Sequence, residues 1–331
     1  MAWAPATPAA LLTSSHVQDG RLSWGSSAED FESASVQSVM ALFDKVDTES
    51  AARRVSEYIV VKRVYEYGER EWTNLMIAWK AFDGTRLSSG RQVRVPKPVR
   101  YIRPVRDVHP GYIVMTFLEG RDLLSAQAYV DDVSETISLL HWLPSEPLDR
   151  PGPLDGQTAE QFPWGEDDVE QIFRDVTDLE ESANRRLHAL PRIHKVIDFQ
   201  NSRLGFSHMD AVPRNFLVMK DGDIGVVDWR SLNNYPAEIL IASLMCAQQD
   251  APAEEYHVRE ALLAGVLARL PHDEQLCEMV CTVQARSITY SCASHLAPPL
   301  EMDDAADTLF SSQKFSIQGF VRILESLGNI L

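Results

Sequence analysis

Four polar residues between positions 208 and 228 have types and spacing suited to one chemistry. The stretch reads Ser207-His-Met-Asp-Ala-Val-Pro-Arg-Asn-Phe-Leu-Val-Met219, then Lys-Asp-Gly-Asp, then Ile224-Gly-Val-Val-Asp-Trp229. An acid (Asp210), an amide five residues on (Asn215) and a second acid thirteen beyond that (Asp228) form the set that phosphoryl transfer to a hydroxyl requires. The first carboxylate takes or orients the hydroxyl proton, and the amide and last carboxylate hold Mg²⁺ on nucleotide phosphates. His208 is expected to organise the loop by hydrogen bonding, and Arg214 to neutralise nearby carboxylates or reach a phosphate. An HxD pair can also begin an iron-binding facial triad. That chemistry needs a distal His on a buried strand, and His257, His272 and His295 all fall in helix-patterned or proline-containing stretches.

The elements around these residues are legible. Phe216–Met219 and Ile224–Val227 are short apolar runs flanking Asp221-Gly222, a strong turn dipeptide, and so predict a hairpin. Asn215 then opens one strand and Asp228 closes the other, which puts two hard oxygen donors side by side, as suits an octahedral cation. Asp210 precedes the first strand on a loop stiffened by Pro213, and catalytic groups often sit on such loops.

With these residues in place, the segment resembles the aminoglycoside phosphotransferase and choline kinase-like superfamily, especially its fungal members. The matching positions are His208, Asp210, Pro213, Arg214, Asn215, Asp228, Trp229, Tyr235 and Pro236. Similarity runs from about residue 55 to about residue 245 and is strongest over 205–240. The resemblance implies an α+β, protein-kinase-like two-lobed fold that uses ATP and Mg²⁺ to phosphorylate a hydroxyl of a small molecule. It implies an irregular tail over 1–32, a β-rich N-lobe over 33–119 and a mainly helical C-lobe over 120–331. Lys62, ending the β-rich run from Glu57, is then the candidate that pairs with the nucleotide phosphates. Its neighbour Arg63 must face the other way. Glu69 and Glu71 both open the next helical run. The family pattern E-x-x-x-L selects Glu71 with Leu75 as the partner of Lys62. Gly111–Thr116 resembles the family's YIVM strand, and the backbone after Met115 at Thr116, Phe117 and Leu118 is the expected adenine contact.

Two departures keep other readings open. No glycine lies between Ala41 and Lys62, where kinases place a glycine-rich phosphate loop, and Arg230 stands where many relatives have Glu. Both features favour a pseudokinase-type binding protein; a kinase fold recruited to another reaction in secondary metabolism is a further alternative, against which the intact Asp210, Asn215 and Asp228 count.

The rest of the chain narrows the class. With 331 residues and 45% hydrophobic content it can fill two lobes. A net charge of -17 with no basic stripe excludes a nucleic-acid partner. That charge fits simple solubility or attraction of a cationic acceptor, with acids at Asp250, Glu254, Glu255, Glu301, Asp303 and Asp304. No apolar run is long enough to span a membrane, and the N-terminus lacks the basic region of a signal peptide. The cysteines Cys246, Cys277, Cys281 and Cys292 form no CxxC pair and read as reduced thiols of a cytoplasmic protein. Helices are expected over 30–44, 133–143, 237–247, 277–291 and 315–327, with a long loop over 144–165 and a turn through Asn233-Asn234.

Overall fold

The computed structural model describes residues 17–18, 21–22, 28–45, 51–65, 67–106, 108–143, 150–154, 172–188, 196–249 and 251–294. The helix expected over 315–327, most of the 144–165 loop, segment 46–50, and Asp250, His295, Glu301, Asp303 and Asp304 lie outside them.

The first half of the chain builds one sheet between two helical layers. After the two-residue strands β1 (Val17–Gln18) and β2 (Arg21–Leu22) come helices α1 (Ala28–Glu32) and α2 (Val36–Lys45). The single helix expected over 30–44 is thus two, broken at Ser33–Ser35, where Ser35 Oγ accepts from the Ser38 N–H at 3.1 Å and caps the second. Strands β3 (Ala52–Arg54) and β4 (Ile59–Val64) follow, then α3 (Gly68–Phe82), β5 (Val93–Arg94), β6 (Pro98–Ile102) and β7 (Gly111–Thr116). Four of these strands form a sheet in the order β3-β4-β7-β6. Alternation on β4 divides its side chains. Ile59 and Val61 pack with Phe31, Val39, Leu42 and Phe43 of α1 and α2, whereas Val60 and Val64 join the cluster containing Leu75, Ala78 and Phe82 of α3. Both faces are therefore covered. The stretch at 28–32, expected in the tail, contributes fully buried Phe31.

The chain then crosses through β8 (Gly120–Asp122) and a 3₁₀ turn (Leu123–Tyr129) into α4 (Val130–Trp142), β9 (Gly152–Pro153) and α5 (Val176–His188). Next come β10 (Leu204–His208), β11 (Phe216–Met219), β12 (Ile224–Val226) and β13 (Leu232–Pro236), and then α6 (Ala237–Gln249), α7 (Tyr256–Leu267) and α8 (Glu274–Ser294). The predicted hairpin is β11–β12, pairing Phe216 with Val226 and Val218 with Ile224. The four residues between the strands turn with the Gly222 N–H donating to the Met219 carbonyl at 3.0 Å, and Gly222 takes a φ of 88°, the left-handed geometry that glycine meets without a steric penalty. Strands β5 and β8 flank the hairpin in the order β5-β12-β11-β8.

Asn233 and Asn234, expected to form a turn, are instead buried in the middle of β13, between β10 and β9. Their side-chain N–H groups donate to the carbonyls of Ser231 (3.0 Å) and Arg150 (2.9 Å), contacts that help to hold two turn-type residues inside a sheet. Helices α4 and α6 pack on this sheet, with α7 against both of them and α8 against α6. The whole is a protein-kinase-like, two-lobed α+β fold, with the first sheet and α3 in one lobe and the hairpin and later helices in the other.

Candidate active site

The site forms where β4, α3, the loop after β10 and the end of β12 meet. Lys62 projects from the α3-facing side of β4, while Arg63 turns to the other face, its guanidinium 5.3 Å from the Phe43 ring centre. Lys62 Nζ donates to Glu71 Oε1 at 2.5 Å and to Asp228 Oδ1 at 2.7 Å. Glu69 points elsewhere, to exposed Arg103 at 2.8 Å, so the structure itself separates the two acids. Glu71 is buried and Lys62 nearly so, with 6% and 14% of their side chains exposed, while Asp228 keeps 34%.

One ammonium thus bridges two carboxylates, and the proton affinities follow. Burial alone would depress Lys62, but the charges of Glu71 and Asp228 outweigh it and hold its pKa above the ordinary value. Burial would raise Asp228; the Lys62 charge and hydrogen bond overcome that and hold it below the usual carboxylate range. Glu71, the most enclosed, is pushed up by burial even with the ammonium beside it.

Asp228 has a φ of 61° and ψ of 64°, the only positive φ among the described non-glycine residues. Such a conformation costs of order 1–3 kcal/mol and persists only where the surroundings enforce it. The catalytic-type loop is tied down beside it. His208 Nε2 faces the Val227 carbonyl at 3.2 Å and its ring meets Trp229 edge-on at 5.3 Å, so this histidine braces the residue before Asp228. The Met209 N–H donates to Ser231 O at 2.9 Å, and Pro213 opens a 3₁₀ turn ending at Asn215. Asn215 Nδ2 donates to the Asp210 carbonyl (2.8 Å) and to Asp210 Oδ2 (2.9 Å), while its own carbonyl accepts from Val227 N at 3.0 Å. Arg214 Nη2 lies 3.5 Å from the same Asp210 oxygen. Asp210, Asn215 and Asp228 are therefore linked through two strands and one loop, and Lys62 and Glu71 join them from the other lobe.

The expected adenine segment is placed differently from the simple expectation of an exposed edge. Strand β7 lies between β4 and β6, and this pairing extends past its end. The Thr116 N–H donates to Lys97 O (3.0 Å) and the Phe117 N–H to Tyr58 O (2.7 Å). Of Thr116, Phe117 and Leu118, only Leu118 keeps an amide outside those pairings.

One residue in contact with the site had no signal in the sequence. Asn74, fully buried on α3, donates from Nδ2 to the carbonyls of Trp229 (3.0 Å), Arg230 (3.1 Å) and Leu232 (3.1 Å). A mid-helix Asn in an amphipathic run reads as neutral, and only knowledge of the facing turn gives it a role. Arg230 is exposed and its charge helps hold Asp228 down. Glu238 sits in the first turn of α6 with Oε2 buried and without a hydrogen-bond partner. It lines a cavity of about 360 Å³ with His141, Arg203 and Asp273. That cavity is at the Leu204–Pro236 end of the β10–β13 ladder, roughly 14 Å from His208 at about 3.4 Å per residue. It is separate from the Lys62–Asp228 cleft.

A family model, APH, the phosphotransferase enzyme family, matches residues 84–272, more than half of the chain. The chain belongs to the phosphotransferase enzyme family. Lys62 and Glu71 precede the matched segment, so their place in the site rests on geometry. Among solved structures, an aminoglycoside-3'-phosphotransferase of type VIII is 15% identical, covering 72% of this chain and 89% of its own, with a TM-score of 0.43. The choline kinase LicA from Streptococcus pneumoniae is 14% identical over 84% of this chain and 87% of its own, with a TM-score of 0.39. The macrolide 2'-phosphotransferase MphH from Brachybacterium faecium is 15% identical over 72% and 80%, also at 0.39. At such identities the likeness says nothing of substrate. No curated protein matches the chain.

The donor set fits a nucleotide with a hard divalent cation. Asn215 spends its amide N–H groups on Asp210 and keeps an amide oxygen, Asp228 offers a partly exposed carboxylate, and Lys62 offers a compact positive charge. No three-residue cluster of His, Cys, Asp and Glu suited to a metal occurs among the described residues.

Proposed function

We propose that this phosphotransferase moves the γ-phosphoryl group of ATP to a hydroxyl of a small molecule, with Mg²⁺ held by Asn215 and Asp228. The observation that carries the reading is the meeting of Lys62, Glu71, Asp210, Asn215 and Asp228 in one cleft from segments as much as 166 residues apart. Nothing in folding requires five polar groups to be collected there. Mg²⁺, when bound, supplies neutralisation of the phosphate charge that builds up during transfer.

The protein's own groups then have separate tasks. Lys62, fixed by Glu71, directs its ammonium at the nucleotide phosphates. Asn215 and Arg214 orient the Asp210 carboxylate, 33% exposed, toward the acceptor. The acceptor oxygen forms the new bond to phosphorus as the bond to the bridging oxygen breaks, and its proton passes to Asp210; ADP and a phosphate ester leave. His208 braces the backbone before Asp228. Leu118 offers its free amide to the adenine edge, beside Thr116 and Phe117. The overall charge of -17 favours a cationic acceptor in a reducing, cytoplasmic setting.

A second reading, a binding protein without transfer, draws on the direct Lys62–Asp228 contact and on the lack of glycine between Ala41 and Lys62. Release of ADP on adding a hydroxylated acceptor separates the two, and thermal unfolding with ATP, with and without Mg²⁺, in the wild type and Asp228→Ala tests the nucleotide site that transfer requires. Ligand at a hundredfold above its dissociation constant adds about 2.7 kcal/mol. The phosphotransferase reading expects a magnesium-dependent rise in Tm that the variant loses. No rise at millimolar nucleotide would sink it.

A further inference from the structure

The contacts of Asn74 close a ring through both lobes. Glu71 lies one turn before Asn74 on α3, so the two side chains share a face. Glu71 holds Lys62, Lys62 holds Asp228, and the chain just after Asp228 bends back so that the carbonyls of residues 229, 230 and 232 converge on Asn74 Nδ2. That convergence needs the left-handed backbone of Asp228. An extended residue there would splay the three carbonyls apart. Three oxygens sharing two amide protons are a demanding arrangement, and the Asn74 Oδ1 on the other side is buried without a hydrogen-bond partner. The amide is therefore oriented wholly by the turn it grips.

We propose that Asn74 is a positioning residue that locks α3 to the Asp228 turn and thereby fixes the distance between Lys62–Glu71 and the metal-binding carboxylate. This rests on the phosphotransferase reading of the same site. A merely structural Asn would stabilise the helix–turn contact and no more. A positioning Asn sets where the Asp228 carboxylate sits, so its loss must weaken the cation more than the nucleotide. It also predicts that α3 does not swing outward as a unit, since doing so breaks all three donor contacts together.

The test compares wild type with Asn74→Leu, similar in volume and without donors, and with Asn74→Ser, which keeps one hydroxyl donor. Two quantities are read: the Mg²⁺ concentration giving half of the ATP-induced Tm rise, and amide hydrogen exchange at 229–232 against that in β10. The proposal expects half-saturation by Mg²⁺ to rise at least tenfold in Asn74→Leu, with nucleotide affinity without Mg²⁺ changed less than threefold. Exchange at 229–232 should quicken at least tenfold while β10 holds, and Asn74→Ser should fall between. A lowered Tm with unchanged Mg²⁺ half-saturation would overturn it, whatever the exchange shows. If the wild type gives no magnesium-dependent response, the phosphotransferase reading fails. Exchange alone then decides whether Asn74 grips the turn, and unchanged protection in Asn74→Leu overturns the lock. Should the Leu variant not fold, the Ser variant carries the same comparison.

Discussion

Replacing Lys62 by Met should destabilise the protein more than a lost surface ion pair would. Lys62 is the shared counter-charge of two carboxylates at 2.5 and 2.7 Å, and Glu71 has only 6% of its side chain exposed. Met matches the length of the stem and leaves both acids without a partner. Breaking a buried pair by removing one member typically costs 3–5 kcal/mol, because the remaining charge stays desolvated. The share from Asp228 is smaller, since a third of its side chain reaches solvent, so the cost should be about 3 kcal/mol. Urea denaturation at pH 7 and physiological salt measures it, and 1 M salt should relieve only part because the pair is enclosed. The double variant Lys62→Met/Glu71→Leu should recover at least half, since it removes the most buried orphan charge. The wild-type contribution should be complete at neutral pH. The folded pKa of Lys62 lies above 10.5, so its stabilising effect is full below that value and is lost as pH climbs through the raised one. A single-variant cost under about 1 kcal/mol, or a double variant no more stable than the single, would refute this account of the site.

Two further outcomes follow from the contact between α4 and β10. Burial, with Arg203 nearby, lowers His141 from 6.5 to about 4. The folded state thus binds fewer protons than the unfolded state between those values, so stability should fall as pH drops from 6.5 towards 4, by up to about 3 kcal/mol at roughly 1.4 kcal/mol per pH unit. Denaturation midpoints across that window should lose this slope in His141→Gln. Gly205→Ala would force a Cβ into the His141 carbonyl oxygen and within 2.7 Å of the ring Nδ1. Because the obstacle includes backbone, the cost should reach the upper end of the overpacking range, about 3 kcal/mol, seen as a lowered Tm; an unchanged Tm would contradict the packing described here.

How much could be read beforehand depended on the range of the interactions involved. The β11–β12 hairpin is a local matter, written in two apolar runs and Asp221-Gly222, and it sets Asn215 next to Val227. Lys62 and its alternation with Arg63 also follow from strand periodicity. Choosing Glu71 over Glu69 needed a family pattern, because two acids two residues apart look alike until the other side of the helix meets Arg103. Asn233 and Asn234 misled for a physical reason: their short amides favour turns, and only partners at Ser231 and distant Arg150 make them strand residues. Residues 116–118 are legible as the end of a buried strand, but not which of their amides pair with Lys97 and Tyr58. Asn74 was invisible because its partners lie more than 150 residues away.

The helices α1 and α2 have a practical bearing on how the N-lobe is delimited. The sheet face that carries Ile59, Val61, Tyr112 and Val114 is covered by Phe31, Val39, Leu42 and Phe43. A recombinant fragment begun at residue 33, where the family pattern starts the lobe, would shed Phe31 and unroof part of that apolar face. One begun at Ala52 would bare all of it, beside the short edge strand β3, and should be recovered as aggregate. The residues proposed for phosphoryl transfer would all still be encoded in such a fragment, and a failed assay on it would be mistaken for a defect of the site.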